Sequence, residues 1–229
     1  MQGWSWSGFF EYLTNYYIFE GALVTLGLTV VSMSVGLLIG SILALMRMSK
    51  FRFLSVPAYF YIWIMRGTPL LVQLVIIYTG LPQLGIKFTV VQSTLIGLSL
   101  CEAAYLAEIV RAGIAAIPKG QVNAARAIGM RELQILRYVI IPQAMRIIVP
   151  PLGNSVNSVL KTTSIASVIS MDELLRRAQV LIQERFLVLE LFMVAALYYL
   201  LMTTMWEFVQ RRIEVRFGRG YAPLSPDLH

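Results

Sequence analysis

The chain has 229 residues, 58% of them hydrophobic and only 14% charged, with a mean hydropathy of +0.71. Soluble domains carry roughly 25% charged residues, so an ordinary soluble fold is excluded and an all-α integral membrane protein is expected. The formal charge of +7 sits on the flanks of apolar runs and not along a stripe with interleaved aromatics, which follows membrane topology and argues against nucleic-acid binding.

Cys101 is the single cysteine and His229 the single histidine. No intrachain disulfide, Cys/His metal cluster or His-dependent triad is expected from such a set. The first residues, MQGWSWSGFF, have neither a basic n-region nor a small-residue cleavage site, so the first span is expected to be retained.

Trp4, Trp6, Phe9, Phe10, Tyr12, Tyr16 and Tyr17 crowd the N-terminus without Lys or Arg, which predicts a helix lying in the membrane interface. Span one covers about residues 21–46, more than the ~20 needed to cross. Its Ser32, Gly36, Gly40 and Ala44 form a row of small residues that permits close helix packing, within one chain or between two. Arg47, Lys50 and Arg52 mark the cytoplasmic side and place the N-terminus outside. Span two, about 56–81, contains Arg66-Gly67-Thr68-Pro69; proline lacks a donor and disfavours helical geometry at Thr68, so a break is predicted there, with freed carbonyls turned to protein or a watery cavity.

Span three, about 88–111, carries Glu102 and Glu108, the latter paired with Arg111 three residues on. A polar stretch follows, residues 109–142, dense in Arg and Lys and therefore cytoplasmic. Pro118 can open a short helix on which Val122, Ala125 and Ile128 share one face, and Gly129 offers a turn into a second helix. Such a surface suits docking against a partner subunit. Span four, about 147–171, begins with Pro150-Pro151 and is the most polar of the spans, with Asn154, Ser155, Asn157, Ser158, Lys161, Thr162, Thr163 and Ser164. A mixed-charge amphipathic segment, 172–185, would lie outside, and its Arg176 and Arg177 are the weakest point of the charge argument. Span five, about 186–209, leads to Arg211, Arg212, Arg216 and Arg219 and a tail with Pro223 and Pro226 that is expected to be poorly ordered, in the cytoplasm. The whole chain, 1–229, reads as a single transmembrane domain of five helices with no internal repeat.

The order Ala124-Ala125, Gly129 and Ile141-Pro142 resembles the EAA signature of membrane subunits of ATP-binding-cassette (ABC) importers. Arg66-Gly67-Thr68-Pro69-Leu70-Leu71-Val72-Gln73, the run from Ala107 to Gly113, Pro150-Pro151-Leu152-Gly153-Asn154 and Lys161-Thr162-Thr163-Ser164 resemble the polar-amino-acid permease branch of that family, the histidine/glutamine/cystine type, in one collinear order over roughly residues 20–210. One position departs: the first residue of the signature, usually Glu, is Asn123. The resemblance implies a type I importer-like transmembrane domain with a cytoplasmic coupling helix, in which Gln121, Asn123, Ala124, Ala125 and Gly129 meet the ATPase. It also implies a bacterial inner-membrane location, two ATP-binding subunits, a second permease chain (identical or paralogous), a periplasmic substrate-binding protein and an amino-acid substrate or a close derivative such as an opine. Family members that carry basic amino acids place acidic groups where Ser155 and Thr162 stand, so the resemblance points away from arginine and lysine as cargo.

Residue chemistry agrees with a passive subunit. Lys161-Thr162-Thr163 is preceded by Ser-Val-Leu and not by the glycines of a phosphate loop, so no nucleotide site or cofactor is expected here, and Mg-ATP would belong to the partners. Arg66, Glu102 and Lys161 each cost about 2.5–3.5 kcal/mol at mid-span unless paired or hydrated. Either they line a polar route, together with Thr68 and the Asn154–Thr162 face of span four, or Glu102 pairs with Arg66 or Lys161 and fastens the spans. Two other classes are weighed: an ion-coupled carrier or channel, which would need repeats or a complete pore in one chain, and an intramembrane enzyme using Cys101 with Glu102 or Glu108. Cys101 and Glu102 are adjacent and leave a helix in different directions, against the enzyme.

Overall fold

The computed structural model describes residues 4–218, and these are helical throughout apart from short connections. Arg219, Pro223, Pro226, His229 and the expected order of the tail lie outside the described residues. Four helices are long and apolar enough to cross a membrane, and the count is five if a helix pair bent by 104° is taken as one broken span.

A short helix α1 (Trp6–Leu13) opens the fold, capped by Ser5 Oγ, which accepts from Gly8 N at 3.1 Å. Its aromatic side chains pack on one another at ring distances near 5.3 Å, as an interfacial helix requires. Span one is α2 (Tyr16–Met48), begun by Asn15, whose Oδ1 accepts from Tyr17 N. Span three is α5 (Val90–Ala115), begun by a reciprocal Thr89–Gln92 capping box. These two form the centre of the fold. Ser32, Gly36, Gly40 and Ala44 are all buried, and a Cβ added to Gly40 would lie 2.8 Å from Ala103 O. Of the two readings of the small-residue row, this one holds within one chain: α2 meets α5 backbone to backbone.

Span two is α3 (Arg52–Gly67) followed, after Thr68 and Pro69, by α4 (Leu70–Val75), which runs on through a π-turn and a 3₁₀ turn to Leu84. The break predicted at Thr68–Pro69 is there, and it is a sharp corner. Span four is longer than its sequence signal. A short helix α7 (Glu132–Ile135), reached through α6 (Lys119–Ala127), continues through a π-helical stretch, Leu136–Ile140, into α8 (Ile141–Thr162), and a 3₁₀ segment carries it to Ile169. Pro150 and Pro151 sit inside α8 without ending it. Trp206 Nε1 donates to Gly153 O at 2.8 Å, tying α8 to the last span, α10 (Val188–Gly218), just past the two prolines.

The segment between spans four and five is α9 (Leu174–Arg185). Glu173 is fully buried at its start and accepts from Leu175 N, Arg176 N and Tyr199 Oη; burial pushes its carboxyl above the usual carboxylate range, with those donors opposing. Arg177, a weak point of the charge argument, is 2.9 Å from Glu20 and 3.0 Å from Asp172 and donates to Tyr17 O. Its charge is thus consumed in holding α9 to the start of α2.

Candidate functional site

The corner at Thr68–Pro69 exists because Pro69 supplies no N–H and Thr68 is extended, with φ −116° and ψ 144°. It leaves Arg66 at the end of α3, facing α5, where its guanidinium lies 5.4 Å from the centre of the Tyr105 ring. Arg66 and Tyr105 border a cavity of about 450 Å³ lined also by Glu102, Glu108, Ile109, Ala112, Gly113, Ile147, Pro151, Ser155 and Ser158. Three elements build it: the end of α3, one face of α5 and one face of α8.

Of the residues singled out in the sequence, Arg66, Glu102, Ser155 and Ser158 come together on this cavity. No ion pair joins Glu102 to Arg66 or Lys161 among the described residues, so the fastening alternative has no contact to rest on. Thr68, Asn154, Asn157, Lys161 and Thr162 are not on the cavity wall. Helical geometry explains most of the split: Pro151, Ser155 and Ser158 follow one stripe of α8, whereas Asn154, Asn157 and Lys161 follow another about 100° around, and Thr162 continues the first stripe but lies at the helix end, beyond the wall. Asn154 Oδ1 instead accepts from Gln210 of α10 at 3.2 Å. Thr162 Oγ1 donates to Ser158 O and Thr68 Oγ1 to Ile64 O.

Tyr105, Glu108, Ile109, Ala112, Gly113, Ile147 and Pro151 line the cavity without having been assigned to the polar route from the sequence. The signal on α5 was spacing: Glu102, Tyr105, Ile109 and Ala112 recur at three and four residues along it. Glu108 and Arg111 form the pair expected of them, 2.8 Å apart. A second cavity, of about 340 Å³, lies on the far side of Arg66 and Glu108, bordered by Arg47, Tyr59 and Trp63. Arg66 and Glu108 therefore stand in the wall between two cavities. Cys101 is buried and lines neither.

The polar stretch forms an elbow. Helix α6 starts after Pro118, which is its cap, and α7 begins after Gly129, whose φ is +80°. That left-handed turn is closed by Gly129 N donating to Arg126 O at 2.9 Å and Met130 N to Ala125 O at 3.1 Å. Arg126 and Glu132 pair across it at 2.8 Å. Ala125 is buried, while Gln121, Asn123, Ala124 and Gly129 face outward. Ile128, placed by its spacing on the inner face with Val122 and Ala125, is 78% exposed, because the chain leaves helical geometry at that residue for the turn. Leu133 is 74% exposed beside it.

Gln121 borders a further cavity of about 680 Å³ with Ile117, Pro118, Gln143, Arg146 and Ile147. Ile147 is also in the wall of the 450 Å³ cavity. Ile147 of α8 therefore borders both the elbow cavity and the polar one.

Residues 36–219 match the family model described as binding-protein-dependent transport system inner membrane component. The chain is 41% identical to the arginine transport system permease protein ArgU of Corynebacterium glutamicum, over 96% of this chain and 74% of that protein. It is also 41% identical to the putative glutamine transport system permease protein GlnP of Rickettsia bellii, over 90% of this chain and 97% of that one. Among solved structures, one described as an amino acid ABC transporter with histidines superposes with a TM-score of 0.88 at 37% identity, covering 94% of this chain and 100% of the other. The MetNI methionine ABC transporter in an inward-facing form shares the fold, with a TM-score of 0.74 at 20% identity over 89% of this chain and 97% of that chain.

Proposed function

This chain belongs to the family of binding-protein-dependent transport system inner membrane components and is the permease of an amino-acid ABC importer, and we propose that its 450 Å³ cavity receives the zwitterionic head of the cargo. The observation that carries this is a cation and a carboxyl, Arg66 and Glu102, lining one cavity with no ion-pair partner among the described residues. Charges so placed cost about 2.5–3.5 kcal/mol each at mid-span. An α-carboxylate at Arg66 and an α-ammonium at Glu102 would offset that cost, with Ser155 and Ser158 hydrogen-bonding to the side chain.

The cargo side chain on this reading is polar and neutral. Glu102 is taken by the ammonium group, Glu108 is held by Arg111, and positions 155 and 162 bear hydroxyls, so no carboxylate is left for a guanidinium or a second ammonium. ATP is bound and hydrolysed, with Mg²⁺, by two partner subunits that press on the elbow around Gln121, Asn123, Ala124 and Gly129. A second permease chain closes the cavity, and a periplasmic binding protein delivers cargo. The basic elbow and the Arg47–Arg52 turn face the cytoplasm and α9 faces the periplasm, with the N-terminus outside. Movement of α7 and α8 carries Ile147 and Pro151 with it, so the cavity is exposed to one side of the inner membrane at a time.

The test uses the permease with its ATPase and binding-protein partners in proteoliposomes. Arg66→Ala should raise the KM for uptake about tenfold, a loss of about 1.4 kcal/mol, while leaving binding-protein-stimulated ATP hydrolysis. Uptake with an unchanged KM would remove Arg66 from the cargo site.

A further inference from the structure

We propose that Gln73 is a positioning residue for transport: its amide ties down two of the carbonyls released at the Thr68–Pro69 corner, those of Met65 and Thr68, and so fixes how Arg66 enters the cavity. In a continuous helix the carbonyl of Met65 would accept from the N–H four residues on, and that residue is Pro69, which has none. Gln73 Nε2 donates to Met65 O at 3.0 Å and to Thr68 O at 3.2 Å, and lies 2.9 Å from Thr68 Oγ1. One side chain from α4 therefore grips the residue before Arg66 and the residue two after it.

Gln73 is 8% exposed. Three acceptors surround its nitrogen, which sets the amide orientation, and its Oε1 is buried without a partner among the described residues. A residue retained for packing alone would be apolar, as its neighbours Leu70, Leu71, Val72 and Leu74 are. The position is filled by a side chain whose acceptor goes unused and whose donors are fully engaged, all of them at the corner. In a bilayer a freed carbonyl is tolerated only against protein or a watery cavity, so without these donors the corner would shift until the carbonyls found other partners. Arg66 would move with it, since it stands between the two gripped residues.

This inference rests on the reading of Arg66 as a cargo contact, and the experiment separates the two. In the reconstituted transporter, Gln73→Leu keeps the volume and removes the donors, and Gln73→Asn keeps the amide on a shorter stem. Gln73→Leu should raise the uptake KM about tenfold, the same size of shift as Arg66→Ala, with maximal ATP hydrolysis changed less than about twofold. Gln73→Asn should give a smaller shift of the same kind. Combined with Arg66→Ala, Gln73→Leu should add nothing further, because its effect runs through Arg66. If Arg66→Ala raises KM and either glutamine variant leaves it at the parent value, or if the two effects add in full, the positioning role is wrong. If Arg66→Ala itself is silent, the cargo reading fails first and this one with it.

Discussion

At Thr68–Pro69 the backbone bends by 104° and the carbonyl that proline releases is met by Gln73, a buried side chain of the same chain. At Gly129 the backbone reverses through a φ of +80° and is closed by two backbone hydrogen bonds and one exposed ion pair, with Ile128 and Leu133 left largely bare. The first interruption is completed from within, and Arg66 beside it borders two cavities. The second is left open, and bare apolar side chains on a basic elbow are the kind of surface that partner proteins cover. On the proposed function, the break that closes on itself serves the cargo path and the one that does not serves an interface.

The largest expected effect follows from spoiling the unfinished turn. Gly129→Asp places a side chain where nothing lies within 4 Å, so the permease loses only the left-handed backbone preference, about 1–2 kcal/mol, of which Asp recovers part. The helical content and detergent melting profile should be kept. Binding-protein-stimulated ATP hydrolysis in proteoliposomes should fall to background, because a new charge and side chain stand in the contact. Normal stimulation would remove the elbow from coupling and with it the contrast between the two breaks.

A milder effect is expected from making the bare surface polar. Ile128→Ser and Leu133→Ser remove side chains that bury almost nothing within the chain, so its own stability should barely move. Retention of the ATPase subunits through purification should drop several-fold. A stability loss with unchanged retention would mean that these side chains fold inward, and the elbow would then resemble the Thr68–Pro69 corner.

How far the sequence foretold this contrast can be read from particular residues. The corner, the elbow and the Glu108–Arg111 pair were legible because proline, glycine and spacing by three act locally. The membership of the cavity was only half legible. Eight polar residues of span four suggest one face, yet a helix turns 100° per residue, and only Ser155 and Ser158 point where Glu102 and Arg66 do. Asn154 went to Gln210, a partner 56 residues away that no local pattern announces. The extent of span four was hidden by charge: Arg131, Arg137 and Arg146 assign residues up to 146 to the cytoplasmic stretch, although the helix runs continuously from Glu132, through the π-helical Leu136–Ile140.

The smallest expected effect concerns the Arg126–Glu132 pair, which spans the elbow as Gln73 spans the corner but does so in solvent. Arg126 and Glu132 keep 53% and 74% of their side-chain surface, against 8% exposure for Gln73. Exposed pairs are screened by salt and compete with water at both ends, so this one holds the turn weakly. Glu132→Gln should leave transport at low ionic strength close to that of the parent and should flatten its dependence on salt, since the variant has no ion pair left across the elbow for salt to screen. A collapse of ATP-coupled uptake in this variant, as deep as that of Gly129→Asp, would show that the elbow is held rigid from within after all, by a single ion pair, and the distinction between a sealed break and an open one would then no longer separate cargo path from interface.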